Sequence, residues 1–501
     1  MKVLKKLFKD RIRLLTITLL VIIAAIPRAI ELINHNYLFT YDQGVFYQGV
    51  QDILVHKHFT LIGAQVGGAG GFFQGAGWFY LLAIPSILTG GDPYGGMVLM
   101  FLIGIILVIA SFLCIDAMFG RREAILTTLL VAISPVLITH ARFIWPPFPI
   151  PLLTVCYFFC VYRILQKKEK YFPVLLFILG AMTHFETATA ATFLIPTIVF
   201  TLFILAKRLI SWRMLLLGCL AIVITQTSLI VFDLKHQFLN TKGIINMLTT
   251  PAALHTPFDQ VLHARWSEFR DNLLTTFPLG QVVWPLLGGF VFIGSAFYLW
   301  DKKNTFAQKT FLIYLLSIPI ILFLVFLHYS SYMWGWWILE LPIVYCLLIG
   351  ILSGYVWKNF IARVGVVIVC IILFASYCSQ TYTFYKNDLN DFGGFHKIKG
   401  KEQALDYIYQ DAAGKPFQVM IFTPRFYTPE YDYLFSWYGR TRYGFVPNKK
   451  VAGTVYLLIE PDPVSPWTYK GWLETVIKKG SVLKTKTLMP SGLIVQKRHV
   501  Q

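Results

Sequence analysis

Charge is what this chain has least of. Only 14% of its residues are Asp, Glu, Lys or Arg, against about 25% in soluble globular proteins, and 56% are hydrophobic. That shortage excludes an ordinary soluble fold and leaves a polytopic membrane protein. Acids are scarcer still, 25 Asp and Glu against 44 Lys and Arg. The excess of +19 sits largely in short loops between apolar segments, where it orients helices, so nucleic acid is not an expected partner. Cysteine is too scattered for a disulfide framework or a zinc site. Cys114, Cys156, Cys160, Cys219, Cys346, Cys370 and Cys378 all fall in apolar runs. Cys156 and Cys160 share a helix face as small packing residues. A phosphate loop is missing too. The stretch Gly63 to Gly77 has seven glycines but no Gly-Lys-Ser/Thr, so nucleotide binding is not indicated. Internal repeats and low-complexity segments are also absent.

What is present is a series of bilayer-length apolar runs, near 14–32, 97–118, 124–139, 149–165, 171–184, 187–206, 214–232, 279–300, 310–327, 335–355 and 362–379. A further run, 72–89, is interrupted by Gln74, Gly75, Gly77 and Pro85. If it does not cross, inner loops hold 18 Lys and Arg and outer loops six; if it crosses, the counts become 11 and 13. The positive-inside rule therefore predicts 11 spans, a cytoplasmic N-terminus retained as the first span, and 72–89 as an outer juxtamembrane or re-entrant helix. Residues 1–380 form the membrane domain, with a first outer loop at 33–96. Residues 381–501 form a small extracytoplasmic α/β domain: a helix near 402–411, strands near 416–423, 454–460 and 491–498, and an aromatic segment from Tyr431 to Tyr443. The fold class is thus a mostly α polytopic membrane protein with a C-terminal α/β domain.

In this topology the unusual polar residues gather outside. Asp42, in Tyr41-Asp42-Gln43-Gly44, is a carboxylate at a membrane surface and a candidate general base. The alternative is a helix N-cap for the amphipathic stretch Val45 to Leu54. Arg142, beside Trp145, has the fork that grips phosphate; interfacial anchoring is the alternative. His184 and Glu186 sit at the outer end of a short span and are candidates for phosphate, sugar or metal. Lys235 and His236 open the largest outer loop and could neutralise phosphate. His328, Tyr329 and Tyr332 belong to an aromatic rim, either a sugar or lipid wall or an interfacial belt. Glu340 lies inside a span and calls for a partner.

Taken in order, these features resemble the GT-C membrane glycosyltransferases, nearest the branch of protein O-mannosyltransferases, lipid A aminoarabinose transferases and RgtA/B/C/D-like proteins. The likeness spans about residues 10–240: a basic first span, Tyr41-Asp42-Gln43, the surface helix from Gly71 through Trp78 to Pro85, the turn Phe119-Gly-Arg-Arg, then Arg142. The resemblance implies a polyprenyl-phosphate-linked sugar donor entering from the bilayer. It implies a glycan, lipid or protein acceptor, and inverting transfer at the outer face of the cytoplasmic membrane. Asp42 would be the base. Arg142, with Lys235, His236 or His184, would bind the donor phosphate. Trp145, His328, Tyr329 and Tyr332 would form the sugar or lipid rim. Two departures stand out. Gln43 follows Asp42 where many relatives carry a second acid, which weakens the case for a divalent metal, although Glu186 could supply the missing carboxylate. Gln74-Gly75-Ala76 replaces a common Lys-Pro-Pro, removing a phosphate-binding lysine. The rival readings are a transporter or flippase of lipid-linked sugars and a non-catalytic assembly factor. Against transport, no inverted repeat or matched pair of broken helices is visible.

Overall fold

The computed structural model describes residues 10–66, 72–249, 257–280, 284–329, 333–448, 453–462, 464–478 and 480–500. Among the described residues six helices are long and apolar enough to cross a bilayer: Tyr94–Met118, Thr187–Ala206, Trp212–Lys235, Phe306–His328, Gly335–Val356 and Phe360–Asp388. Shorter apolar helices include Ile150–Leu165 and Pro285–Trp300. The expected run 124–139 is two helices, Arg121–Ile133 and Pro135–His140. Ser134, extended before a proline, breaks the run. The bundle core is aromatic and aliphatic. Tyr157, for example, hydrogen-bonds both Thr197 and Tyr314 among buried phenylalanines. Arg28, fully buried, donates to the Ala24 and Ala132 carbonyls at 2.8 and 2.9 Å, tying the first helix to the Arg121–Ile133 helix.

The two ends of the bundle differ. One end carries the ion pairs Arg13–Asp116 and Arg121–Asp10. The other carries a second hydrophobic core, in which the loop helices Tyr41–Leu54 and Gly77–Leu88 pack with Ile144 and with the C-terminal region. The run 72–89 is therefore a β-hairpin strand, Phe73–Gly75, followed by a helix lying along Tyr41–Leu54. Phe46, Tyr47, Val50 and Ile53 supply the buried stripe of Tyr41–Leu54 at helical spacing.

The last membrane helix runs to Asp388, so the boundary expected at 380 falls inside it. Beyond it the expected α/β elements appear: the helix Ile398–Ala412 and a four-stranded sheet in the order Gln418–Phe422, Gly453–Ile459, Ile494–Val500, Ser481–Thr487. The first pair is parallel and the others antiparallel. The tail is sewn to the first loop. Phe39 N–H donates to the His396 carbonyl and Ile398 N–H to that of Tyr37, both at 3.0 Å. Asn36 donates to the carbonyls of Asp391 and Phe392. Gly44 is required at this seam, because a Cβ there would collide with the Glu430 backbone.

Candidate active site

Asp42 stands in the first turn of Tyr41–Leu54 but does not cap it. Thr40 and Gln43 form a capping box, with the Gln43 Oε1 accepting from the Thr40 N–H at 2.9 Å. Among the described residues no side chain or backbone group hydrogen-bonds the Asp42 carboxylate. It is solvent-exposed, yet flanked closely enough by protein that burial raises its pKa; the positive charge of Arg425 partly offsets this. Arg425 lies on the tail loop after strand Gln418–Phe422. Next to these two, the Tyr41 and Tyr427 rings meet at 5.5 Å. The loop's footing is rigid. Lys401 Nζ sits 2.7 Å from Glu460 and 4.1 Å from the Tyr431 ring centre, and the Tyr431 hydroxyl donates to the same Glu460 oxygen.

Gln43 links this corner to an aromatic chamber. Its Nε2 donates to the Ile144 carbonyl at 3.0 Å. The next residue, Trp145, lines a cavity of about 340 Å³ with Trp336, His140, Glu268, Asp271 and Asn272. Trp145 and Trp336 meet edge-on at 4.9 Å, and His140 stacks on Phe148 at 4.2 Å with its Nδ1 unpartnered. Aromatic faces beside carboxylates and an amide can hold a sugar ring. A second, apolar cavity of about 590 Å³ lies between Gly77–Leu88 and the helices Phe172–Met182 and Trp212–Lys235. Leu61, Tyr80, Phe177, Ile224 and Val231 line it, and its walls can accept a hydrocarbon chain.

The cations expected to bind phosphate are placed differently. Arg142 is largely but not fully buried; its Nε and Nη2 grip Glu31 at 2.7–3.1 Å, Nη2 also reaches Asp388 at 2.5 Å, and the guanidinium lies over Phe384. A phosphate would have to displace these carboxylates. His184 uses both ring nitrogens. Nδ1 accepts from the Gly77 N–H at 3.0 Å and Nε2 donates to the Thr225 carbonyl at 2.7 Å. This contact explains Gly75 and Gly77, where a Cβ would strike the imidazole. His236 bonds the Phe232 carbonyl and stacks on its ring. Lys235 is exposed at the end of its helix. Glu186 caps Thr187–Ala206 by accepting from Ala188; burial pushes its pKa up to about 8. Glu340 is fully buried. Tyr329 packs on Trp337 and its carbonyl accepts from Arg265; His328 is exposed; Tyr332 lies outside the described residues. Among the described residues no three His, Cys, Asp or Glu side chains converge as metal ligands, so the residues here do not make a divalent-metal cradle.

Nothing in the sequence singles out Glu31 or Asp388. For Arg425 a signal did exist, since loops at the carboxyl ends of parallel strands are where such sheets build sites.

Comparison with known proteins agrees with this architecture. Residues 76–232 match the family described as dolichyl-phosphate-mannose-protein mannosyltransferase. Two crystal structures of ArnT from Cupriavidus metallidurans superpose over 97% of both chains at 12% identity. The undecaprenyl-phosphate-bound form gives a TM-score of 0.57 and the apo form 0.60. No curated protein matches by sequence. The GT-C resemblance seen in the sequence is thus met by a family match over part of the chain and by the fold over nearly all of it.

Proposed function

We propose that this chain is a membrane glycosyltransferase that moves a sugar from a polyprenyl-phosphate donor to an acceptor hydroxyl, with inversion, at the outer face of the cytoplasmic membrane. The observation that carries the reading is the state of Asp42. Its helix is capped by other residues, its carboxylate is unpartnered among the described residues, and it lies at the corner where first loop and tail meet. In this reading Asp42 takes the proton of the acceptor hydroxyl. The acceptor oxygen attacks the anomeric carbon, the bond from that carbon to the phosphate oxygen breaks, and polyprenyl phosphate leaves with the electron pair. Burial raises the basicity of Asp42 above that of an ordinary carboxylate, the direction a general base needs. The Trp145–Trp336 chamber holds the sugar, and the apolar cavity beneath Gly77–Leu88 holds the prenyl chain. The partial match to mannosyltransferases and the fold shared with ArnT, which was crystallised with undecaprenyl phosphate, support the donor class.

Mass spectrometry of surface glycans, glycolipids and glycoproteins tests this in cells carrying wild-type, deleted or Asp42→Asn protein at matched membrane levels. The expected result is one sugar lost equally in deletion and variant. Retention of that sugar by Asp42→Asn removes Asp42 from the chemistry and favours transport or assembly.

A further inference from the structure

Three of the four cations expected to meet the donor phosphate are held within the protein: Arg142 through Nε and Nη2 by Glu31 and Asp388, His184 through both ring nitrogens by Gly77 and Thr225, and His236 through Nδ1 alone by Phe232. A phosphate leaving beside Asp42 still needs a counter-charge, because preorganised cations act most where charge develops. We infer that Arg425, on the tail loop Thr423–Thr428, is the cation that takes the phosphate of the lipid-linked donor beside Asp42, so that the C-terminal region completes the active site. This inference rests on the glycosyltransferase reading above.

Geometry carries it. The loop is locked: the Phe426 N–H donates to the Thr423 carbonyl at 2.9 Å, Thr423 Oγ1 donates to the Tyr427 carbonyl at 2.8 Å, and Phe426 turns through a φ of 60°. It is also fixed to the helix that bears Asp42. The Tyr427 ring rests on Tyr41, Gln48 Nε2 donates to the Pro429 carbonyl at 3.2 Å, and Gly44 abuts the backbone of Glu430. Arg425 is two residues from one side of that ring contact and Asp42 one residue from the other. The field of Arg425 reaches the Asp42 carboxylate, yet among the described residues no ion pair closes between them or on Arg425 at all. Elsewhere in the tail Lys397, Lys401, Arg442, Lys484 and Lys497 are paired with acids. Arg425 is exposed and keeps its fork of donors for a ligand, and a guanidinium suits a phosphate's paired oxygens.

The same chemistry would suit a phosphate carried by the acceptor, so the test separates the two. Purified full-length wild type, Arg425→Ala, Arg425→Lys and Asp42→Asn are titrated with undecaprenyl phosphate and with undecaprenol, and transfer kinetics are measured for each. The expected result is at least tenfold weaker undecaprenyl phosphate binding in Arg425→Ala and partial recovery in Arg425→Lys. Undecaprenol binding is unchanged, Asp42→Asn binds like wild type, and melting temperatures match because Arg425 is exposed. Wild-type affinity in Arg425→Ala overturns the proposal. So does a loss expressed only as a raised KM for the acceptor, which would assign Arg425 to the acceptor's anion. Absence of undecaprenyl phosphate binding in wild type and Asp42→Asn alike overturns the glycosyltransferase reading, and this assignment with it.

Discussion

Arg142→Ala distinguishes a structural guanidinium from a phosphate ligand. The wild-type side chain grips Glu31 through Nε and Nη2, and the Arg142 and Glu31 side chains are only 10% and 9% exposed. Truncating it leaves the Glu31 carboxylate buried without its counter-charge. Breaking a buried pair from one side costs about 3–5 kcal/mol. The contact with Asp388, which is 32% exposed, adds less, on the order of 1 kcal/mol or below. Purified variants would be heated and the remaining monodisperse fraction measured, then undecaprenyl phosphate binding measured on unheated protein. Arg142→Ala should melt well below wild type, while Arg142→Gln with Glu31→Gln, which removes both charges and keeps polar partners, should recover most of the loss. Folded Arg142→Ala should still bind the lipid phosphate. A variant that melts like wild type but binds more than tenfold more weakly refutes this reasoning and restores Arg142 as a phosphate ligand.

Three further outcomes follow from the same contacts. Gly75→Ala drives a Cβ into the His184 imidazole, an overpacking expected to cost about 1–3 kcal/mol. Thermal melts of Gly75→Ala, His184→Ala and the double variant should show the pair losing less than the sum of the singles. On the proposed reading transfer requires ionised Asp42, whose pKa burial raises and Arg425 lowers, so kcat/KM should fall as pH drops and the carboxylate takes up its proton. Arg425→Gln should move this acid limb to higher pH, and a shift the other way contradicts the placement of Arg425. Glu186, pushed from 4.5 to about 8 by burial, keeps in the folded state a proton that the unfolded chain releases. Stability contributed by this group should therefore decline as pH rises from 4.5 to about 8. Glu186→Gln should flatten that slope in pH-dependent melts.

Much of the fold is legible in composition, because a bilayer allows few architectures. Apolar length locates the bundle, and the bias of Lys and Arg keeps 72–89 out of the count of spans, where the structure has a helix lying along Tyr41–Leu54. The tail shows where the signal fails. The strands 418–422, 453–459 and 494–500 fall close to their expected places. Ser481–Thr487 was missed: every residue in it is exposed, so no buried alternation marks it, and Lys484 and Lys486 are what an edge strand carries. The end of the last membrane helix is hard to read near 380 for a different reason. The helix continues in polar residues to Asp388, whose carboxylate is held by Arg142, a contact 246 positions away.

That contact also shows what the candidate site hid from sequence. Residue type reveals which side chains are able to hold a proton or a phosphate; it does not reveal which are already engaged. Asp42 and Arg142 read alike as outward-facing charged groups at the edge of a span. The structure separates them, because Thr40 and Gln43 relieve Asp42 of capping while Glu31 and Asp388 enclose Arg142. The same test removes His184, whose two ring nitrogens are both engaged, from the pool of free cations, shows His236 held through Nδ1 alone, and leaves Lys235 exposed at the end of Trp212–Lys235. The positive charge that acts on Asp42 is that of Arg425, nearly 400 residues later in the chain. A tail folded against the first loop through Phe39, Gly44 and Tyr41 is what brings that charge to it.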